Sequence, residues 1–157
     1  MDLAALLTKA GVTFKAEQAS SFLQLSRATY IVNEMAGIAN LREPGDVLTT
    51  YDIVAIRTNN EKVLHSLCME AAACDIITFD LNEKLLKIKH NVMAEAAGRG
   101  LLFEMQFGEA LRNDKSRRMI LSNMASLVRL SRGKHLILSS GSRGPLQQRS
   151  PADLYSL

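Results

Sequence analysis

The chain has 157 residues and a mass of 17.3 kDa, is 47% hydrophobic and 22% charged, and carries 19 Lys and Arg against 16 Asp and Glu. That length suits one domain with a real core, and the near-average fractions exclude a disordered, collagen-like or supercharged chain. Two cysteines are too few for a disulfide scaffold, no apolar run approaches a membrane span, and Asp2 stands where a secretory signal wants a base, so the expectation is a soluble chain of a reducing, intracellular compartment.

In chain order, residues 1–24 open with a short apolar helix (Leu3, Leu6, Leu7), then Gly11 and a Ser-containing stretch. They read as a divergent lead-in. From there β-branched and aromatic runs recur: Ala28–Val32, Asp52–Ile56, Asp75–Phe79, Leu101–Met105 and His135–Ser139. Most are continuously apolar rather than alternating, which predicts parallel strands covered on both faces. Successive starts lie about 24 residues apart, with a longer last gap, as one strand-plus-helix unit each requires.

The intervening segments read as helices. Asn60 can cap one whose inner face carries Val63, Leu64, Leu67, Cys68 and Ala71. Asn113 or Asp114 can cap a longer one with Ile120, Met124, Leu127 and Val128 facing inward and Gly133 just past its end. Ser150-Pro151-Ala152-Asp153 is a helix start, with a cap, a proline at the first helical position and an acid three residues after the cap. The sequence stops at Leu157, before that helix has grown.

Five such units admit a small doubly wound sheet or part of an eight-fold barrel. A full barrel needs about 250 residues, so 157 cannot close one. The abbreviated last helix favours the fragment. The predicted fold is therefore α/β: a partial, truncated TIM-like barrel of five parallel βα units over residues 25–157, cut at both ends.

Charge is split along the chain. Residues 1–80 hold six bases and ten acids, a net of −4, and residues 81–157 hold thirteen bases and six acids, a net of +7. A basic half on a folded domain suits an acidic partner such as a phosphate backbone. Bases at a helix C-terminus complement its dipole, which accounts for Arg129, Arg132 and Lys134 structurally. Bases in a first turn oppose the dipole, so Arg117 and Arg118 call for another reason, and phosphate contact supplies one.

Motifs for catalysis are sparse. His65, His90 and His135 are scattered, and no His-x-His, Cys-x-x-Cys or His-Glu-x-x-His spacing occurs, so no metal or cofactor is expected. Cys68 and Cys74 read as small core residues. Ser139-Ser140-Gly141-Ser142-Arg143-Gly144 follows a strand without a nucleophile elbow or Walker spacing; its glycines could admit a phosphate that Arg143 would pair. Glu104, inside an apolar strand, must be paired or reach a polar cavity, and Arg99 or a base from a neighbouring unit could partner it.

Two stretches then stand out: Asn91–Ala94 through Arg99-Gly100-Leu101-Leu102-Phe103-Glu104, and Arg117-Arg118 through Gly133-Lys134-His135 to Ser140. With Tyr51–Ile56, Glu61-Lys62, His65, Pro145-Leu146, Arg149, Pro151 and Asp153, they resemble the 30-kilodalton protein subunit of eukaryotic ribonuclease P and ribonuclease MRP, from about Leu25 to Leu157. The chain departs from the usual pattern with Ala97-Gly98 before Arg99 and with Ser150 where a glycine is usual. The resemblance implies a degenerate TIM-like barrel related to polymerase-and-histidinol-phosphatase metalloenzymes, with the metal ligands lost. It implies a nuclear, largely nucleolar subunit without its own catalytic site, supporting an RNA that removes the 5′ leader of precursor tRNA, and serving ribosomal RNA maturation in MRP. The implied partners are the catalytic RNA, precursor tRNA indirectly, and a small ferredoxin-like protein subunit, with no membrane. On this reading the short chain is a truncated gene model or isoform.

The bases expected to meet phosphate are Arg117, Arg118, Arg132, Lys134, Arg143 and Arg149. The alternative is a metal-dependent phosphoesterase of the parent barrel superfamily, which requires clustered His and Asp at the C-terminal strand ends. Those ends are predicted to carry Asn33, Arg57, Asp80, Gln106 and Ser140.

Overall fold

The computed structural model describes residues 24–42, 49–70, 72–142, 144 and 148–150. Among these, β1 (Arg27–Ile31), α1 (Ala36–Arg42), β2 (Ile53–Arg57), α2 (Glu61–Met69), β3 (Ile76–Thr78) and α3 (His90–Gly98) follow one another. Then come β4 (Leu102–Gln106), α4 (Gly108–Arg112), α5 (Asp114–Ser131) and β5 (Leu136–Ser139). Each strand falls within a residue of its predicted run. Residues 1–23 of the proposed lead-in, Ala71 and the helix expected after Ser150 lie outside the described residues.

The strands form one parallel sheet in the order β1-β2-β3-β4-β5. A doubly wound sheet reverses its order at a switch point; this one never does. Right-handed crossovers that always step the same way lay every helix on the same face, the winding of a barrel. The sheet is not closed, and among the described residues β1 and β5 each have one strand neighbour.

The apolar core lies between that face and the helices. Ile56, Ile77, Phe103 and Met105 from the strands pack with Val63, Leu64, Leu67, Met93, Ile120 and Leu127 from the helices. Phe79 and Phe103 stack with ring centroids 6.1 Å apart. Burying a side chain of this size is worth about 1.5–3 kcal/mol, so this layer is the main source of stability.

Coverage of both faces, expected from the apolar runs, is not what the structure has. The second face carries Arg27, Thr29, Ile31, Thr78, Glu104 and Gln106, and Ile31 is 72% exposed. Alternation is clear only in β1, with exposed Arg27, Thr29 and Ile31. In the central strands Ala55, Ile76 and Thr78 are buried on that face too, which is why their sequences read as unbroken runs.

Caps fix the helix starts as predicted. The Asn60 side-chain oxygen accepts from the Lys62 N–H at 2.9 Å, and that of Asn113 accepts from the Lys115 N–H at 3.0 Å. Val128, expected on the inner face of α5, is instead 42% exposed. It sits about 100° around the helix from Leu127, at the edge of the apolar stripe. The inward position goes to Asn123, whose amide donates to the Leu81 and Glu83 carbonyls at 3.0 and 2.8 Å and pins the loop between β3 and α3.

Candidate nucleic-acid interface

The predicted phosphate-binding residues separate into two groups along α5. Arg117 and Arg118 lie in its first turns, Arg132 and Lys134 just beyond its last, and both pairs are exposed. A helical rise of 1.5 Å per residue puts the groups roughly 20 Å apart. Arg149 is exposed farther along the chain, and Arg143 lies outside the described residues.

Arg117 has a local role that the sequence did not announce. Its Nε donates to the Ala110 carbonyl at 2.8 Å and its guanidinium pairs with Asp114 at 3.0 Å. It thus ties the end of α4 to the start of α5, where Asp114 offsets the unfavourable position of a base near a helix N-terminus. Arg118 has no ion pair or side-chain hydrogen bond among the described residues, so its charge is free for an outside partner.

At the other end of α5, Arg132 is the C-cap in the left-handed region (φ 56°), Gly133 follows at φ 71°, and His135 returns to φ 55°. A left-handed conformation costs a residue with a Cβ about 1–2 kcal/mol. The Arg132 N–H satisfies the Arg129 carbonyl and the Gly133 N–H the Val128 carbonyl, so the strained turn closes the helix.

The strand ends make a separate polar cleft of about 190 Å³ that includes Arg57, Asp80, Gln106 and Ser140. Arg57 and Asp80 are ion-paired at 2.5 Å. Asn33, the fifth predicted strand-end residue, instead accepts from the Asn59 N–H at 3.0 Å. The loop after β5 is held close, since the Gly108 N–H donates to the Ser140 carbonyl at 2.9 Å. A Cβ at Gly108 would come within 2.1 Å of that oxygen, so only glycine fits. Among the described residues, no three of His, Cys, Asp and Glu gather as a metal site.

Glu104 is paired, but not with Arg99. Its two carboxylate oxygens receive Arg27 at 2.6 and 2.7 Å, and the Thr78 hydroxyl donates at 2.7 Å. Burial alone would raise this carboxyl; hydrogen bonds from Arg27 and Thr78, with the guanidinium charge, outweigh it and hold the group at about 2. Arg99 turns to the C-terminal end of α2 and donates to the carbonyls of Leu67, Cys68 and Glu70. Those are orphan acceptors of a helix end, and a guanidinium fork suits them. Cys68 and Cys74 are free thiols, each pushed up to about 12 chiefly by burial, which suits packing and not nucleophilic work.

A parallel sheet wound strictly in sequence, helices on one face and a mixed face carrying the Arg27–Glu104 ion pair on the other, defines a segment of a βα barrel. The chain belongs to the RNase P subunit p30 family, whose model matches residues 9–157. It is 36% identical over 134 residues to the ribonuclease P protein subunit p30 of Mus musculus, covering 85% of this chain and 50% of that protein. It is 35% identical over 137 residues to the protein GAMETOPHYTE DEFECTIVE 1 of Arabidopsis thaliana, covering 87% of this chain and 23% of that one. With the ribonuclease P/MRP protein subunit RPP1 of Saccharomyces cerevisiae it shares 31% over 133 residues, 84% of this chain and 44% of that one. The chain spans half or less of the length of these relatives.

Proposed function

We propose that this chain serves as a protein subunit of ribonuclease P, and of the related MRP particle, with no catalytic site of its own. The family match through residues 9–157 carries the reading. In it the particle's RNA performs the cleavage of precursor tRNA and the protein supplies cations and shape around phosphates. Arg118, Arg132, Lys134 and Arg149 are the exposed bases in that role, with Arg117 contributing through its remaining donors and Arg143 as a further base in the sequence after β5. Backbone phosphates, not base edges, are their targets. A small ferredoxin-like subunit of the same particle is the protein partner, and the location is the nucleus and nucleolus.

The test is recovery from nuclear extract. The tagged full chain should bring down the RNA of the particle together with precursor-tRNA cleavage, while the purified chain alone cleaves nothing and holds no stoichiometric metal. A purified chain carrying zinc or manganese and cleaving phosphoesters would overturn the proposal, as would recovery of neither RNA nor activity.

A further inference from the structure

Where α3 ends and β5 begins, the structure holds a second cleft, of about 340 Å³. Its wall is apolar, with exposed Ala94 and half-buried Ala97 over a floor of the nearly buried Met93 and Phe103, and its rim includes Arg132, Lys134 and His135. Among the described residues, no acidic side chain lines it. Arg132, Lys134 and His135 are exposed, and their side chains have no ion pair or hydrogen bond among the described residues. His90 also lines the cleft, and its Nδ1 lies 2.6 Å from the Leu130 carbonyl oxygen. A carbonyl can only accept, so Nδ1 carries a hydrogen and donates it there.

We propose that this cleft takes one unpaired nucleotide of an RNA, its base against the apolar wall and its flanking phosphates on Arg132 and Lys134. The inference rests on the RNA-binding reading and adds a single-base pocket to it. The volume sits near the lower end of ligand clefts, about 300–1,000 Å³, which is room for one nucleotide and not a run of them. Phosphate alone would need the cations but not the wall. A buried apolar side chain of a partner would need the wall but not a rim of unpaired cations. A nucleotide outside the stack presents both, a flat ring beside a charged backbone, and proteins read single-stranded RNA through such splayed bases. A base in a duplex cannot enter.

The experiment measures anisotropy of the full chain with two RNA hairpins, one fully paired and one with a single bulged adenosine, at one salt concentration. The bulged hairpin should bind roughly tenfold more tightly, the order of one stacked base. Ala94→Leu, at an exposed α3 position on the cleft, should bring the two affinities together. Gly98→Met should do the same, since a Cβ there would meet nothing within 4 Å. Lys134→Gln should weaken both hairpins. Equal affinity for the two hairpins in the unaltered chain, with Lys134→Gln still weakening both, overturns the cleft and leaves RNA binding standing. Binding of a polyglutamate peptide that Ala94→Leu abolishes, with neither hairpin bound, overturns both readings and assigns the cleft to an acidic protein segment.

Discussion

Arg27 and Glu104, 77 residues apart in the chain and three strands apart in the sheet, meet through two hydrogen bonds of 2.6 and 2.7 Å. The register runs from Ile31 through Arg57 and Thr78 to Glu104, so Arg27 starts four residues below the rung that Glu104 occupies. In a flat sheet the two would lie about 14 Å apart across the strands and about 13 Å along them. An eight-stranded barrel with a shear of eight shifts level positions by about one residue per strand, near the offset seen here. The ion pair is thus a direct mark of barrel curvature, and it holds β1 to the rest of the sheet.

Removing one partner should expose that role. Arg27→Met leaves the Glu104 carboxylate, only 1% exposed, without its cation, and should cost about 3 kcal/mol in urea unfolding. Adding Glu104→Met should recover at least half of the loss, because an apolar pair tolerates this site better than a lone charge. A double variant no more stable than the single one would show that the pair is not an energetic unit.

The same group sets an acid limit. Glu104 is held at about 2 against an ordinary 4.5, so between those values the unfolded chain binds the extra proton. Its contribution is therefore complete above about pH 5 and drains away as pH falls toward 2, by about 3 kcal/mol in all. Unfolding free energy followed across that range should drop less steeply for Glu104→Gln than for the unaltered chain. Parallel curves would remove Glu104 as the cause.

Arg99 is predicted to act on stability through α2. Arg99→Ala frees the carbonyls of Leu67, Cys68 and Glu70 and should cost about 2 kcal/mol. Arg99→Lys should recover less than half, since an ammonium cannot fork across several acceptors. Equal stability of the lysine variant and the unaltered chain would reduce Arg99 to a simple charge.

RNA affinity should separate the two arginines that begin α5. Arg118→Ala should make the logarithmic salt dependence of RNA binding shallower by about 0.7–0.9, the share of one phosphate. Arg117→Ala should change the slope less and instead lower the melting temperature, because its guanidinium already serves Asp114 and Ala110. Equal slope changes for the two would mean that Arg117 leaves its internal partners when RNA binds.

The sequence by itself determined the strand runs, the Asn60 and Asn113 caps, the unit spacing and, through the resemblance, the family. These are local: a capping amide or an apolar run acts within a few residues, and periodicity records it. Tertiary structure decided what depends on register and curvature. It gave Glu104 to Arg27 and not to Arg99, turned Val128 outward and Asn123 inward, and left the second face of the sheet partly open. No spacing in the chain encodes which of 19 basic side chains will lie opposite a given carboxylate once the sheet has curled. That choice is made by geometry across strands, where residues far apart in sequence become neighbours.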